Sequence, residues 1–234
     1  YVTAGHDHIL LYTKVKENWK PNLLERTNEA LAKFKNPDDD PRGVWSSGDL
    51  TSKTKAKGHS YPIKTPTGKE YLPPKGRQWA PSKETFERLM SENRIWFGES
   101  GNNVPRLKQF LTEVQSGVVP MSIWKCSEVG HNQEAKQEFN SVMDKEIDFD
   151  TPKPVRLINK MLHIATDDNA IVLDFFAGSC STAHAVIKRN YENKSNLKFI
   201  MIQLPERLGS DGGKFKSIAD IGKERIRRAA QLVR

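Results

Sequence analysis

Between Ala170 and Phe176 every residue is apolar except Asp174, and the run ends in Ala177-Gly178-Ser179 before helical spacing begins at Thr182. An apolar run this short, with β-branched residues inside it, suits a strand buried on both faces of a parallel sheet. A parallel strand cannot return through a hairpin; it needs a crossover, usually a helix. The sequence supplies one over 182–189, then a second apolar run, Phe199-Ile200-Met201-Ile202, and a second helical pattern over 218–233. Upstream, Val155, Leu157, Ile158, Met161 and Leu162 fall at helical spacing within 154–164, and Asp167-Asp168-Asn169 marks a turn. This β-α-β-α series is the building block of a doubly wound α/β sheet.

The rest of the 234 residues is less regular. A strand is expected at Ile9-Leu10-Leu11-Tyr12, an amphipathic helix over 22–34, and a breaker cluster at 36–41. Ser82 reads as the N-cap of a helix over 83–90, and 94–97 as a strand. A helix is expected over 104–115, entered through Pro105, and a strand over 118–124. No apolar run approaches the roughly 20 residues of a membrane helix, and no secretory signal pattern is present. Two cysteines, Cys126 and Cys180, are too few for a disulfide scaffold and fit a reducing cytoplasm. Tyr1 is not Met, so the sequence is expected to be a piece of a longer one.

The net charge of +8 is uneven. Residues 42–80 carry 8 basic against 2 acidic residues, interleaved with Trp45, Tyr61, Tyr71 and Trp79. Such a block either binds a phosphate backbone with rings stacked on bases, or is a solvated insertion pinned by its aromatics. Residues 151–234 carry 15 basic against 8 acidic residues. Lys223, Arg225, Arg227 and Arg228 supply much of that surplus and read as the solvated face of the last helix.

Strand, small-residue turn, helix is a ligand cradle. Gly178 permits positive φ and close approach, and the unpaired N–H groups of the following helix favour an anion such as a carboxylate. Ser181 or Thr182 can cap that helix. Asp174, at the strand's end, can receive a cation. With one glycine where a dinucleotide fingerprint needs three, a nucleotide-binding oxidoreductase is disfavoured, while an ordinary turn without a ligand stays open.

The run Asp174-Phe175-Phe176-Ala177-Gly178-Ser179-Cys180-Ser181-Thr182-Ala183-His184-Ala185 resembles the cofactor motif of DNA amino-methyltransferases. It is most similar to that of the methylation (Mod) subunit of type III restriction–modification systems. The likeness continues through Lys198 to Glu206 and Ile221 to Ala229. Upstream it takes in Gly68-Lys69-Glu70-Tyr71, Pro73-Pro74-Lys75-Gly76-Arg77, Ile95-Trp96-Phe97-Gly98, Gly130-His131-Asn132-Gln133-Glu134-Ala135 and Lys153-Pro154. The resemblance implies an adenine-N6 DNA methyltransferase that uses S-adenosyl-L-methionine on double-stranded DNA, dimerises, and pairs with a helicase-nuclease restriction subunit. It implies a partial Rossmann-like α/β methyltransferase sheet with an irregular α+β target-recognition insertion. Residues 1–41 would be a remnant of the catalytic half, 42–150 the recognition region and 151–234 the cofactor half.

Carried over by position, Asp174, Phe175, Phe176, Ala177, Gly178, Ser179 and Thr182 would line the cofactor site. Lys153 and Pro154 would open the helix beside it, and Gln203 or Glu206 would meet the ribose. Where the family has glycine stands Cys180, which a positive φ would strain; neither it nor His184 is expected to be a catalyst. Arg42, Lys69, Lys75 and Arg77 are the expected DNA contacts, with Trp45 and Trp79 as stacking or packing residues.

The family's Asp-Pro-Pro-Tyr-like tetrapeptide, which holds the flipped target base, has no counterpart here; Leu72-Pro73-Pro74-Lys75 keeps only the prolines. No catalytic residue is therefore assigned and no metal is expected. The catalytic half-site is expected to precede Tyr1, the chain alone to be inactive, and part of its apolar sheet and helix surface to be exposed. A non-catalytic remnant that binds DNA or the cofactor is the alternative.

Overall fold

Within 104–115, where helical spacing predicted a helix, the chain forms the strand Arg106–Phe110. The computed structural model describes residues 5–145, 147, 149–208 and 215–233. In it Lys108 and Phe110, two apart, point to the same buried side of the strand Arg106–Phe110. Pairing on both edges outweighs the helical period, since strand preference is set by neighbours more than by the residues themselves.

The chain divides into two compact units, Glu25–Val118 and the residues up to Leu24 with those from Val119 onward. In the first, β1 (Trp45–Asp49), β6 (Ile95–Trp96) and β7 (Arg106–Phe110) form an antiparallel sheet with β7 in the middle. The ribbons β2 (Thr51–Ser52) with β5 (Gln78–Trp79), and β3 (Ile63–Lys64) with β4 (Glu70–Tyr71), complete it. Gly68, at φ +88°, turns β3 into β4. Helix α2 (Lys83–Ser91) starts where Ser82 Oγ accepts the Thr85 amide. Its core joins Leu50, Tyr61, Ile63, Trp79, Phe86, Ile95 and Phe97. Burying each such side chain contributes about 1.5–3 kcal/mol. The helix expected over 22–34 is a single turn, α1 (Asn28–Leu31).

In the second unit α3 (Cys126–Val129) and α4 (Asn132–Val142) precede α5 (Val155–Ala165), β8 (Ile171–Asp174), α6 (Ser181–Asn193), β9 (Lys198–Met201) and α7 (Ile218–Leu232). β8 and β9 pair in parallel, from Ile171 opposite Lys198 to Asp174 opposite Met201. Val172 and Phe199 pack with Val155 and Leu162 of α5, Ala185 and Val186 of α6, and Leu197 just ahead of β9. The opposite face is open: Ile171, Leu173, Ile200 and Ile202 are exposed. β8, expected to be buried on both faces, is partly buried on one and exposed on the other. The strands expected at 9–12 and 118–124 are not formed; Tyr12 is 86% exposed, and Val119, Met121 and Ile123 are exposed too. Among the described residues no helix is long and apolar enough to cross a membrane.

Candidate functional site

Asp174 ends β8, and its carboxylate organises the turn that follows. Oδ1 accepts the Phe176 amide at 3.1 Å and Oδ2 accepts the Thr182 hydroxyl at 2.6 Å. Thr182 therefore ties helix to strand instead of capping α6. The N-cap residue is Cys180, which makes no side-chain cap bond, and among the described residues no side chain closes the N-terminal N–H groups of α6. The Gly178 amide donates to Gln203 Oε1 at 2.7 Å, which fastens the turn to the end of β9. Gln203, expected at a ribose, is thus engaged with the turn, while Glu206 is exposed. Phe175 and Phe176 lie 5.0 Å apart at the mouth, Phe176 84% exposed. Ala177 and Ser179 are buried beneath. Pro154 is the N-cap of α5, and Lys153 is exposed 3.8 Å from Asp7.

Gly178 has φ +50°, and a Cβ there would make only ordinary contacts, with Phe149 at 3.8 Å and the Phe176 carbonyl oxygen at 3.9 Å. Its value is the left-handed conformation rather than space. Cys180 is also left-handed, at φ +58° and ψ +39°. A non-glycine there costs roughly 1–2 kcal/mol. The thiol is buried, and burial raises its pKa, with the Asp174 charge adding to the effect. It is no activated nucleophile. Room for it comes from Gly222 in the middle of α7, where a Cβ would lie 2.5 Å from Cys180 Sγ.

Arg225 departs most from expectation. It is 0% exposed, not part of a solvated face. Its Nη1 donates to Ser181 Oγ at 2.7 Å and Ser179 Oγ at 3.0 Å, binding α7 to the turn. His184 is packed beside it, and desolvation, with the nearby Arg225 charge, pushes the imidazole pKa down to about 4. The buried positions of α7, Ile221, Gly222, Arg225 and Ala229, fall on one stripe. That spacing was the available signal for both Gly222 and Arg225. Among the described residues no group of three His, Cys, Asp or Glu is placed to hold a metal ion.

In the unit Glu25–Val118 the expected DNA contacts separate into two sets. Arg42 is committed inward. Nε and Nη2 grip the Asp40 carboxylate at 2.8 and 2.7 Å, Nη1 and Nη2 reach the carbonyls of Glu92 and Asn93, and the guanidinium stacks 4.3 Å from the Phe110 ring centre. The Arg42 hydrogen bond, foremost, holds the Asp40 carboxyl far below the usual carboxylate range. Trp45 is buried with its indole N–H on Asp38, and Trp79 is 0% exposed with its N–H on the Tyr61 carbonyl. Neither offers a ring face to a base, so both pack rather than stack on nucleotides. Lys69, Lys75 and Arg77 are exposed. Arg77 lies 3.3 Å from Asp49 and, with Lys53, Lys55, Lys57 and Gln78, lines an open cavity of about 540 Å³. The three lysines were missed as individuals, although their alternation over 53–57 is plain in the sequence.

The DNA methylase family profile matches residues 1–208. The chain is 30% identical to the Mod subunit of the type III restriction-modification enzyme StyLTI of Salmonella typhimurium, a match covering 100% of this chain and 36% of that protein. It is 28% identical to the EcoP15I Mod subunit of Escherichia coli, covering 98% of this chain and 41% of the relative. The chain thus spans about two fifths of the length of these relatives or less.

Proposed function

The chain belongs to the DNA methylase family, and on that premise we propose that it is the cofactor-holding and DNA-reading portion of an adenine-N6 DNA methyltransferase of a type III restriction–modification system. One observation carries this reading. A parallel strand ending in Asp174 runs through a turn with Gly178 and Cys180 left-handed into a helix whose first N–H groups no side chain among the described residues caps. The uncapped amides favour a carboxylate. Asp174, although it already accepts two hydrogen bonds, has lone pairs left for an ammonium. The Phe175 and Phe176 rings supply an apolar wall, and Glu206 is available to ribose hydroxyls. This donor and acceptor set fits S-adenosyl-L-methionine, which when bound supplies a sulfonium methyl already activated for transfer to an amine. The residues of this chain bind and orient it and limit water at the turn.

The strand pair β8–β9 and its helices are read as part of a larger Rossmann-like sheet, with residues 151–234 as the cofactor half. Recognition of double-stranded DNA is assigned to the unit Glu25–Val118, through Lys69, Lys75, Arg77 and the lysines beside it. Dimerisation, pairing with a restriction subunit and action in the cytoplasm complete the reading.

The absence of any Asp-Pro-Pro-Tyr-like tetrapeptide in the 234 residues favours a second reading of the isolated chain, as a binder that does not transfer methyl groups. Calorimetric titration tests the first claim. S-adenosylmethionine is expected to bind with 1:1 stoichiometry, NAD is expected not to bind, and D174A should weaken the interaction at least tenfold. A chain that binds neither compound sinks the proposal. Methyl transfer to DNA by the isolated chain would overturn the second reading alone.

A further inference from the structure

Arg225 carries a full positive charge into the interior beside the first turn of α6. The residue is 0% exposed, and its guanidinium meets two hydroxyls, the Ser179 carbonyl at 3.5 Å, the His184 Nδ1 at 3.5 Å and the Phe139 ring at 5.4 Å. All of these are neutral. Its Nε is buried without a hydrogen-bond partner. Among the described residues no carboxylate forms an ion pair with it; Glu138, whose carboxylate accepts the Val155 amide at 3.2 Å, acts on it only through space. Burial pulls the guanidinium pKa down to about 10, and it stays charged at neutral pH.

The position makes the imbalance worse. The N-terminal end of a helix is the positive end of its dipole, where a cation is disfavoured and an anion favoured. Arg225 stands at that end of α6, hydrogen-bonded to the very residues, Ser179 and Ser181, that flank the N-cap. A buried charge usually finds a partner of opposite sign. Here two positive sources, the dipole and the guanidinium, converge beneath one turn.

We propose that the missing counter-ion is the ligand's own carboxylate. Arg225 is a positioning residue that holds the Ser179–Ser181 turn from below and makes the site select a carboxylate-bearing cofactor. This rests on the cofactor reading above. Arg225 need not touch the ligand, because in a water-poor interior a charge acts across several ångströms.

The test is a ratio, which a merely structural role leaves unmoved. Affinities for S-adenosylhomocysteine and for its decarboxylated analogue, in which hydrogen replaces the carboxylate, are measured by calorimetry on the full chain. R225Q, neutral and of similar size, is expected to lower the preference for the carboxylate form at least tenfold, and R225K to keep it within threefold of wild type. If R225Q proves unfolded by circular dichroism, the S179A/S181A pair unties the guanidinium while leaving it in place. That pair is expected to lower the ratio at least threefold. An R225Q protein that loses affinity for both compounds equally, or an untied variant with an unchanged ratio, overturns the assignment. Failure of the wild-type chain to bind either compound overturns the cofactor reading, and this assignment with it.

Discussion

Lys108 in one unit and Arg225 in the other are both sealed from water, and their surroundings are opposites. The Lys108 ammonium sits between Asp38 and Asp40, and Asp40 is further shared with Arg42. Arg225 has hydroxyls, a carbonyl, an imidazole and an aromatic ring. The first arrangement is electrically closed and complete in itself. The second is electrically open, at the end of a strand and under a turn. Charge closure thus marks the unit Glu25–Val118 as framework at that point, and its absence marks the β8–α6 turn as a place that awaits an anion.

The largest expected effect follows from closure. Replacing Lys108 with Met takes away the cation between Asp38 and Asp40; Asp40 keeps Arg42, while Asp38 is left, among the described residues, with only the Trp45 indole N–H. Breaking a buried pair by removing one partner costs about 3–5 kcal/mol. R225M removes a charge that forms no ion pair among the described residues and leaves two hydroxyls short of a partner, which costs about 1–3 kcal/mol. Urea unfolding followed by tryptophan fluorescence and circular dichroism measures both. If R225M proved the more damaging of the two, the contrast between the sites would be broken.

pH sharpens the same contrast. His184 has its pKa depressed from 6.5 to about 4, chiefly by burial. A depressed folded pKa favours the neutral ring, so the stabilisation is complete above 6.5 and is lost as pH falls from 6.5 toward 4. That span corresponds to roughly 3 kcal/mol. Asp40 is lowered from 3.8, so its contribution is complete above that value and is lost only in stronger acid. The unit holding α6 is therefore expected to weaken at pH 5, where the Asp40 cluster is still intact. H184Q should flatten the loss between pH 7 and 5, as read by circular dichroism in urea. A wild-type stability that is flat over that interval would contradict the burial argument.

The order in which these features became legible has a physical cause. The series from Val155 through β8, α6, β9 and α7 is written in local periods and turn residues, so it could be read from the sequence nearly residue by residue. The Ser82 cap of α2 was legible for the same reason. β7 was not, because Leu107 and Phe110 also fit a helical period and only pairing with β1 and β6 decides between the two. Arg225 was misread because a run of arginines suggests water, whereas its fourfold spacing from Ile221 and Ala229 puts it on the apolar stripe. Trp45 and Trp79 were offered to DNA on composition, which carries no information about burial. In the turn, the strain at Cys180 was legible, and the device that accommodates its side chain, Gly222 on a helix more than forty residues away, was not.

That device yields an intermediate prediction. G222A puts a Cβ 2.5 Å from Cys180 Sγ and 3.3 Å from the Gly178 carbonyl oxygen, so the turn must shift. Overpacking of this kind costs about 1–3 kcal/mol. C180G removes both the clashing sulfur and the left-handed strain, and in that background G222A should cost less than half as much. A double-mutant cycle measured by thermal unfolding checks this; additive losses would mean that the two residues do not share the space.

The smallest effect on stability, and the last way to sharpen the contrast, lies on the surface of the unit whose interior charges are closed. Lys53, Lys55 and Lys57 are exposed around the same cavity as Arg77, and their removal should change unfolding free energy by no more than about 0.5 kcal/mol. Their role, on the reading proposed for this unit, is electrostatic and external. Removing one ammonium that neutralises a phosphate lowers the salt dependence of DNA binding by about 0.9 in the log–log slope. The triple alanine variant should therefore weaken binding to duplexes of unrelated sequence alike and reduce the slope by roughly 3. Affinities measured at several salt concentrations on two duplexes decide the matter. A stable variant with an unchanged slope would take DNA away from this cavity, while an altered preference between duplexes would make these lysines readers of sequence rather than of phosphate. In either case the division would stand between the buried Lys108 cluster, closed for structure, and charges left open for a partner, exposed on this surface and buried at Arg225.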